Sequence, residues 1–203
     1  MEKNAKFFRE SAWAQLTGNW KPAVLISLVY LIIIAAMDGA GRKFEALSFL
    51  SIFIFSPLAY GYNVAFLGFK RTGEDVKIES LFDGFKDYGR VFLTSLLQSI
   101  YTVLWTLLLI VPGIIKGISY SQTFFVLKDN PELKNNAAIE RSMAMMEGHK
   151  MEYLCLTLSF IGWILLSILT LGIGLLWVSP YMATTMAHFY EYVKEDYERR
   201  IEA

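Results

Sequence analysis

The chain has 203 residues, of which 55% are hydrophobic, 15% aromatic and 19% charged. That length suits one domain. So much apolar surface excludes a disordered chain, a single cysteine excludes a disulfide scaffold, and a net charge of zero gives no general attraction to nucleic acid.

The charges leave long gaps. Runs without Asp, Glu, Lys or Arg cover residues 22–37, 46–69, 91–115, 117–127 and 153–190. A membrane crossing needs about 20 mostly apolar residues. A large soluble core is the competing reading, but the second and third runs, 24 and 25 residues long, fit a bilayer better than a core helix.

In chain order, residues 7–16 predict a short amphipathic segment ahead of a first span at 22–41. That span is longer than a signal-peptide core and more spans follow it, so a cleaved leader is not expected. A second span follows at 46–69, then a second amphipathic segment at 78–88 and a third span at 91–111. Pro112-Gly113 predicts the next reversal, because proline breaks the helical ladder and glycine permits the turn. A fourth, short span covers 113–130, and a third amphipathic segment lies at 137–146. The run of 38 residues at 153–190 must fold back, since one helix of that length would extend about 57 Å across a core of about 30 Å. Gly172-Ile173-Gly174 is the natural turn, giving spans at 153–171 and 174–191. The fold class is therefore all-α: a polytopic transmembrane bundle of six spans in three hairpins, each preceded by an amphipathic interfacial helix. It forms one integral membrane domain over 1–203, with units at about 1–75, 76–130 and 131–203.

The basic residues orient it. Sixteen of the nineteen Lys and Arg fall before span 1, between spans 2 and 3, between spans 4 and 5, or in the tail. Only Arg42, Lys43 and Lys116 fall on the other side. The positive-inside rule then places both termini in the cytoplasm.

The units repeat. Each amphipathic segment ends in glycine and a basic residue: Gly18 to Lys21, Gly89-Arg90 and Gly148 to Lys150. The second and third units align with Arg90 on Lys150 and Ser119 on Ser179. Ser56-Pro57 of the first matches Ser179-Pro180 of the third. Trp20, Lys21, Lys86, Arg90 and Lys150 are expected lipid anchors at headgroup level. The amphipathic segments are expected either on the inner membrane surface or against the cytoplasmic end of the bundle.

Polar residues inside the spans fall on stripes. Lys116, Ser119, Tyr120 and Thr123 share one helical face, as do Tyr181, Thr184, Thr185 and His188, and Thr94, Gln98 and Thr102. Span 2 adds Ser56, Tyr60 and Asn63. Either these line a hydrated path or they join helices by hydrogen bonds. On the first reading the candidate ligand-binding residues are Lys116, Tyr120, Gln98, Thr184, His188 and Asn63. Lys116 is the most pointed of them, as an intramembrane charge that either functions, snorkels or pairs with Asp38. Pro57 and Pro180 predict kinks.

Catalytic patterns are missing. His149 and His188 stand in no metal-ligand spacing, no nucleophile elbow or phosphate loop occurs, and no span holds two carboxylates. No catalytic residue, metal or cofactor is expected. Cys155 is expected as a small buried residue, and Met143, Met145 and Met146 as a soft packing patch.

Several motifs occur in one order: Leu81 to Lys86 (LFDGFK), Pro112 to Lys116 (PGIIK) with Ser119-Tyr120-Ser121, Asp129 to Leu133 (DNPEL), Gly148-His149-Lys150, Ser159 to Trp163 (SFIGW) and Leu169 to Gly174 (LTLGIG). Together they resemble the bacterial integral-membrane family catalogued as domain of unknown function nine-seven-five, over about 81–191, with the first 80 residues fitting more loosely. The resemblance implies a polytopic bacterial membrane protein. It implies no activity, substrate or catalytic residue.

Three functions remain in view. One is a non-enzymatic scaffold or accessory protein that binds membrane lipids, a membrane-protein partner or a second copy. Another is a small-solute or lipid transporter or channel using the stripes of spans 3, 4 and 6. The remote one is an intramembrane enzyme.

Overall fold

A computed structural model describes residues 4–43 and 45–202, with side chains in 40–52 outside the description. Lys3, Arg42 and Lys43, counted above for orientation, fall outside the described side chains. All described regular structure is helical: α1 (Ala5–Leu16), α2 (Trp20–Lys43), α3 (Glu45–Thr72), a 3-10 turn (Ile78–Phe82), α4 (Asp83–Lys86), α5 (Tyr88–Leu108), α6 (Ile110–Ser119), α7 (Thr123–Asp129), α8 (Asn136–Met145), α9 (Lys150–Leu158), α10 (Ile161–Leu169) and α11 (Leu175–Glu202).

Four helical stretches are long and apolar enough to cross a membrane: Trp20–Gly39, Tyr88–Leu108, Ile110–Asp129 and Lys150–Leu169. Three of them bare most of their surface, while the stretch Ile110–Asp129 is exposed at its start and buried at Phe125, Val126 and Leu127. Leu104, Leu107 and Ile110 on α5 and α6, and Leu165, Ile168 and Leu169 on α10, are all exposed. The centre belongs to α3 and α11, which are buried over Leu58–Phe69 and Val178–Val193 and pack on one another. Phe66, Phe189 and Tyr190 are among the largest fully buried side chains.

Two turns differ from expectation. The break before α6 falls at Leu109, whose backbone is extended (φ −158°, ψ 137°), not at Pro112-Gly113. Pro112 sits instead in the first turn of α6, where a missing N–H leaves no helical bond unmade. Gly113 serves close approach: a Cβ there would lie 2.7 Å from Thr106 Cα. The glycine turn near 172 forms as expected, with Leu171 and Gly172 both left-handed and Gly172 N–H bonded to Ser167 O. The last helix runs past 191 to Glu202. Its polar continuation is held by pairs such as Arg200–Asp196 at 3.0 Å, one turn apart as a solvated helix favours. Pro57 and Pro180 both lie inside continuous helices.

Cys155 is exposed, not buried. It shares the outward face of α9 with the exposed Met151 and Leu158, and an apolar helix with a bare outer face has no need to turn a thiol inward. Met145 and Met146 are buried, as packing residues.

The three amphipathic segments dock on helices, burying Phe8, Ala12 and Leu16, then Leu81, then Ala138, Ile139 and Met145, while Phe7, Trp13, Phe82 and Phe85 stay exposed. The 3-10 turn and α4 lie across α3: Gly61 faces the main chain of Leu81, and a Cβ on Gly84 would lie 2.7 Å from Pro57 Cα. Helix α8 docks where α6 gives way to α7, with Ser142 Oγ donating to Ser119 O at 2.8 Å. Helix α1 docks on α11, with Trp13 edge-on to Tyr181 at 5.5 Å and Phe8 edge-on to Phe189 at 5.3 Å. The three landing points lie at or beside the aligned positions Ser56-Pro57, Ser119-Tyr120 and Ser179-Pro180; the docked segment follows the first two in the chain, whereas α1 precedes the third. Each amphipathic segment thus rests on the second helix of the preceding unit, and the first unit rests on the last. The contacts close a ring.

Candidate functional site

The six polar residues singled out in the spans form no single hydrogen-bonded group. Lys116 lies over the Trp105 ring, 5.1 Å from its centroid, so the α5–α6 pair supplies its partner. Asp38 lies elsewhere, in a cleft described below. Thr184 is fully buried and bonds to Pro180 O, and Asn63 Nδ2 bonds to Ala59 O, both one turn back on their own helix. Tyr120 is buried beside the α6–α7 break. Gln98 Oε1 is buried without a hydrogen-bond partner. His188 Nε2 faces Gln15 Oε1 at 2.7 Å, and Gln15 Nε2 donates to Phe69 O at 2.6 Å. One amide therefore ties α1 to both central helices.

Of the expected lipid anchors, Trp20 and Lys21 open α2 and Lys150 opens α9. Lys86 is exposed and bonds back to Asp83 at 2.7 Å. Arg90 turns inward. Its side chain is 13% exposed and ion-paired with Asp87. Its Nη1 donates to Leu127 O (2.9 Å), one of the open carbonyls in the last turn of α7, and to Leu133 O (3.1 Å) in the loop that follows. The glycine-basic pair that singled out Arg90 does not specify which way its side chain turns.

Sequence spacing gave no sign of two charged clusters. Asp129, at the end of α7, has a side chain only 8% exposed. It accepts two bonds from Arg71, at 2.7 and 2.6 Å, one from Tyr190 at 2.9 Å and one from Lys194 at 2.7 Å. Four hydrogen bonds from three side chains of α3 and α11 therefore satisfy one carboxylate. The second cluster centres on His149, whose ring nitrogens face Glu152 Oε2 at 2.9 Å and Asp196 Oδ2 at 3.0 Å. The bond from His149 holds the Asp196 carboxyl below its ordinary range, helped by Arg200 and Arg199. Among the described residues no group of three or more His, Cys, Asp or Glu is placed to hold a metal ion.

Two clefts open sideways at junctions between units. The larger, about 500 Å³, lies between α2, α3 and α5. Its walls are apolar, with Ile34, Phe55 and Phe92. Its polar groups are Asp38, Ser95, Ser99 and Ser56, and Ser56 Oγ is buried without a hydrogen-bond partner. The smaller, about 350 Å³, lies between α1, α2, α10 and α11 and is lined by Trp13, Trp20, Trp163, Trp177, Val178 and Tyr181. The two are equivalent places in the repeat. Counted from the Ser-Pro pairs, Phe55 matches Val178. Counted from Lys21 and Lys150, Ile34 matches Trp163.

A family model described as a protein of unknown function, DUF975, matches residues 106–197. It bears out the resemblance carried by the motifs, and covers the chain from the end of α5 into the tail of α11. No curated protein and no solved structure matches the chain.

Proposed function

We propose that the chain is a six-span protein of a bacterial cytoplasmic membrane, with both ends cytoplasmic, that binds membrane lipid in lateral clefts and acts as a non-enzymatic scaffold or accessory protein. The observation that carries this reading is the cleft between α2, α3 and α5. A lipid needs an apolar wall for its chains and a few polar groups nearer its head. Ile34, Phe55 and Phe92 supply the first; Ser95, Ser99, Asp38 and the unpartnered Ser56 hydroxyl supply the second. A buried hydroxyl without a partner costs about 1–3 kcal/mol, which a ligand oxygen or amine would recover. The bare apolar outer faces of α5, α6 and α10 support immersion in lipid.

The test is native mass spectrometry of the full chain released from nanodiscs. The wild type should carry lipid, and Ser95→Trp, which fills the cleft, should carry less at unchanged thermal stability. A lipid-free wild type, or retention indifferent to the filled cleft, defeats the reading.

A transporter is the second reading, favoured by the buried unpartnered oxygens of Gln98 and Gln122. Against it, the hydroxyls of Thr102, Thr184 and Thr185 bond to carbonyls one turn back, which uses them locally. Flux into proteoliposomes that disappears in Lys116→Met would favour transport.

A further inference from the structure

The smaller cleft has an unusual lining. Four of the chain's five tryptophans meet there with a tyrosine and one aliphatic side chain, Val178. These rings come from α1, α2, α10 and α11, so folding, not local sequence, assembles them. They do not stack. Trp13 and Trp20 are inclined at 67°, Trp13 and Tyr181 at 79°, and Trp163 and Tyr181 at 88°. Rings set nearly at right angles form walls around a space. Nor do they fill it: Trp13, Trp163 and Trp177 remain 47%, 40% and 48% exposed.

We propose that this aromatic box binds a quaternary ammonium group of the trimethylammonium type. The faces of indole and phenol rings carry negative quadrupole potential, and a cation set over several faces is attracted by each. No carboxylate, amide or hydroxyl-bearing aliphatic residue lines the box. A primary ammonium has three N–H donors and would find one side-chain oxygen in the lining, that of Tyr181. A methylated ammonium has no N–H donors and presents methyl groups to the rings. An acyl chain is served equally well by aliphatic surface, which this molecule bares widely on α5, α6 and α10; tryptophan is not required for it. The box also adjoins Trp20-Lys21 at the start of α2, the level expected of lipid headgroups. The group is carried either by a phosphatidylcholine-type headgroup or by a free quaternary ammonium solute. The proposal deepens the lateral lipid-binding reading and rests on it for the first source only.

The experiment has two arms on the full chain. In the first, tetramethylammonium chloride is titrated against the detergent-solubilised protein by tryptophan fluorescence, with ammonium chloride as control. A saturable change with the methylated ion alone is expected. Its midpoint should rise about tenfold in Trp163→Leu, and Trp177→Leu, at the other edge of the box, should repeat the effect if the first variant folds poorly. In the second arm the protein is reconstituted in nanodiscs of equal phosphatidylcholine and phosphatidylethanolamine with identical chains, and retained lipid is measured. Enrichment of phosphatidylcholine, lost in Trp163→Leu, supports the proposal with the lipid as source. No enrichment beside a saturable tetramethylammonium response supports it with a solute as source. Equal retention of both lipids, with no response to tetramethylammonium, overturns the proposal while the lipid-binding reading stands. No retained lipid and no response overturns both.

Discussion

Ser142 Oγ donates to Ser119 O at 2.8 Å and accepts from Gln122 N–H at 3.2 Å. One hydroxyl, fully buried on α8, thus satisfies the two main-chain groups left open where α6 ends and α7 begins. It occupies the place that Gly84 takes against Pro57 and Trp13 takes against Tyr181.

Ser142→Ala leaves that oxygen and that N–H unpaired in a dry place. The expected cost is about 1–3 kcal/mol, or an apparent Tm lower by roughly 2–12 °C for a chain of this size. Ser99→Ala, at an exposed position whose hydroxyl bonds to Ser95 O, should leave the Tm unchanged. Equal stability of the two variants in a detergent melt would refute the role given to Ser142.

Gly84→Ala asks for space that is already occupied, since its Cβ would lie 2.7 Å from Pro57 Cα with backbone on both sides. Overpacking of this kind costs about 1–3 kcal/mol or more. The variant should accumulate poorly and melt early. Gly162→Ala on α10 meets nothing within 4 Å and should be neutral or slightly stabilising, as alanine is the better helix former.

Asp129→Asn removes the charge that Arg71 and Lys194 share. Arg71 is about a third exposed, so solvent offsets part of the loss, and roughly 2–3 kcal/mol is expected. Tyr190→Phe deletes one bond of the four and should cost about 1 kcal/mol. Arg71→Lys should not substitute, because a lysine cannot repeat the paired bonds to one carboxylate. Denaturation midpoints of the three variants check the order.

The tail of α11 should let go in acid. Asp196 is held below its ordinary pKa of about 3.9. A lowered folded-state value means that its contribution is complete above the ordinary range and is lost as pH falls through the lowered one. Hydrogen-exchange protection of residues 191–202, corrected for intrinsic rates, should persist down to that range and collapse below it. In Asp196→Asn it should be weak at neutral pH already; full protection there would contradict the assignment.

Much of the architecture was legible because charge is excluded from long apolar helices. The uncharged runs marked α2, α5 and the α9–α10 stretch, and the glycines at 172 and 174 marked the turn. What escaped depends on partners distant in sequence. Spacing assigns Arg90 to a level and Gln15 to a face, but not to Leu127 O or His188. Proline at 112 was legible as a helix boundary, yet whether it ends one helix or begins the next turns on the close approach of Gly113 to Thr106. The tryptophan box was hidden for the same reason: its rings are dispersed over Trp13 to Trp177, and each alone is an ordinary interfacial residue.

Ring closure imposes an order on biogenesis. Helix α1 buries Phe8, Ala12 and Leu16 against a helix that begins at Leu175. At roughly 5–20 residues per second, the ribosome needs on the order of 10–30 s after making α1 to deliver the surface it docks on. For that interval α1, made before α11, waits for its partner, so a chaperone, an insertase or the lipid surface itself must shelter its apolar face. Mutations that slow the emergence of α11 should therefore expose the beginning of the chain to proteolysis before its end.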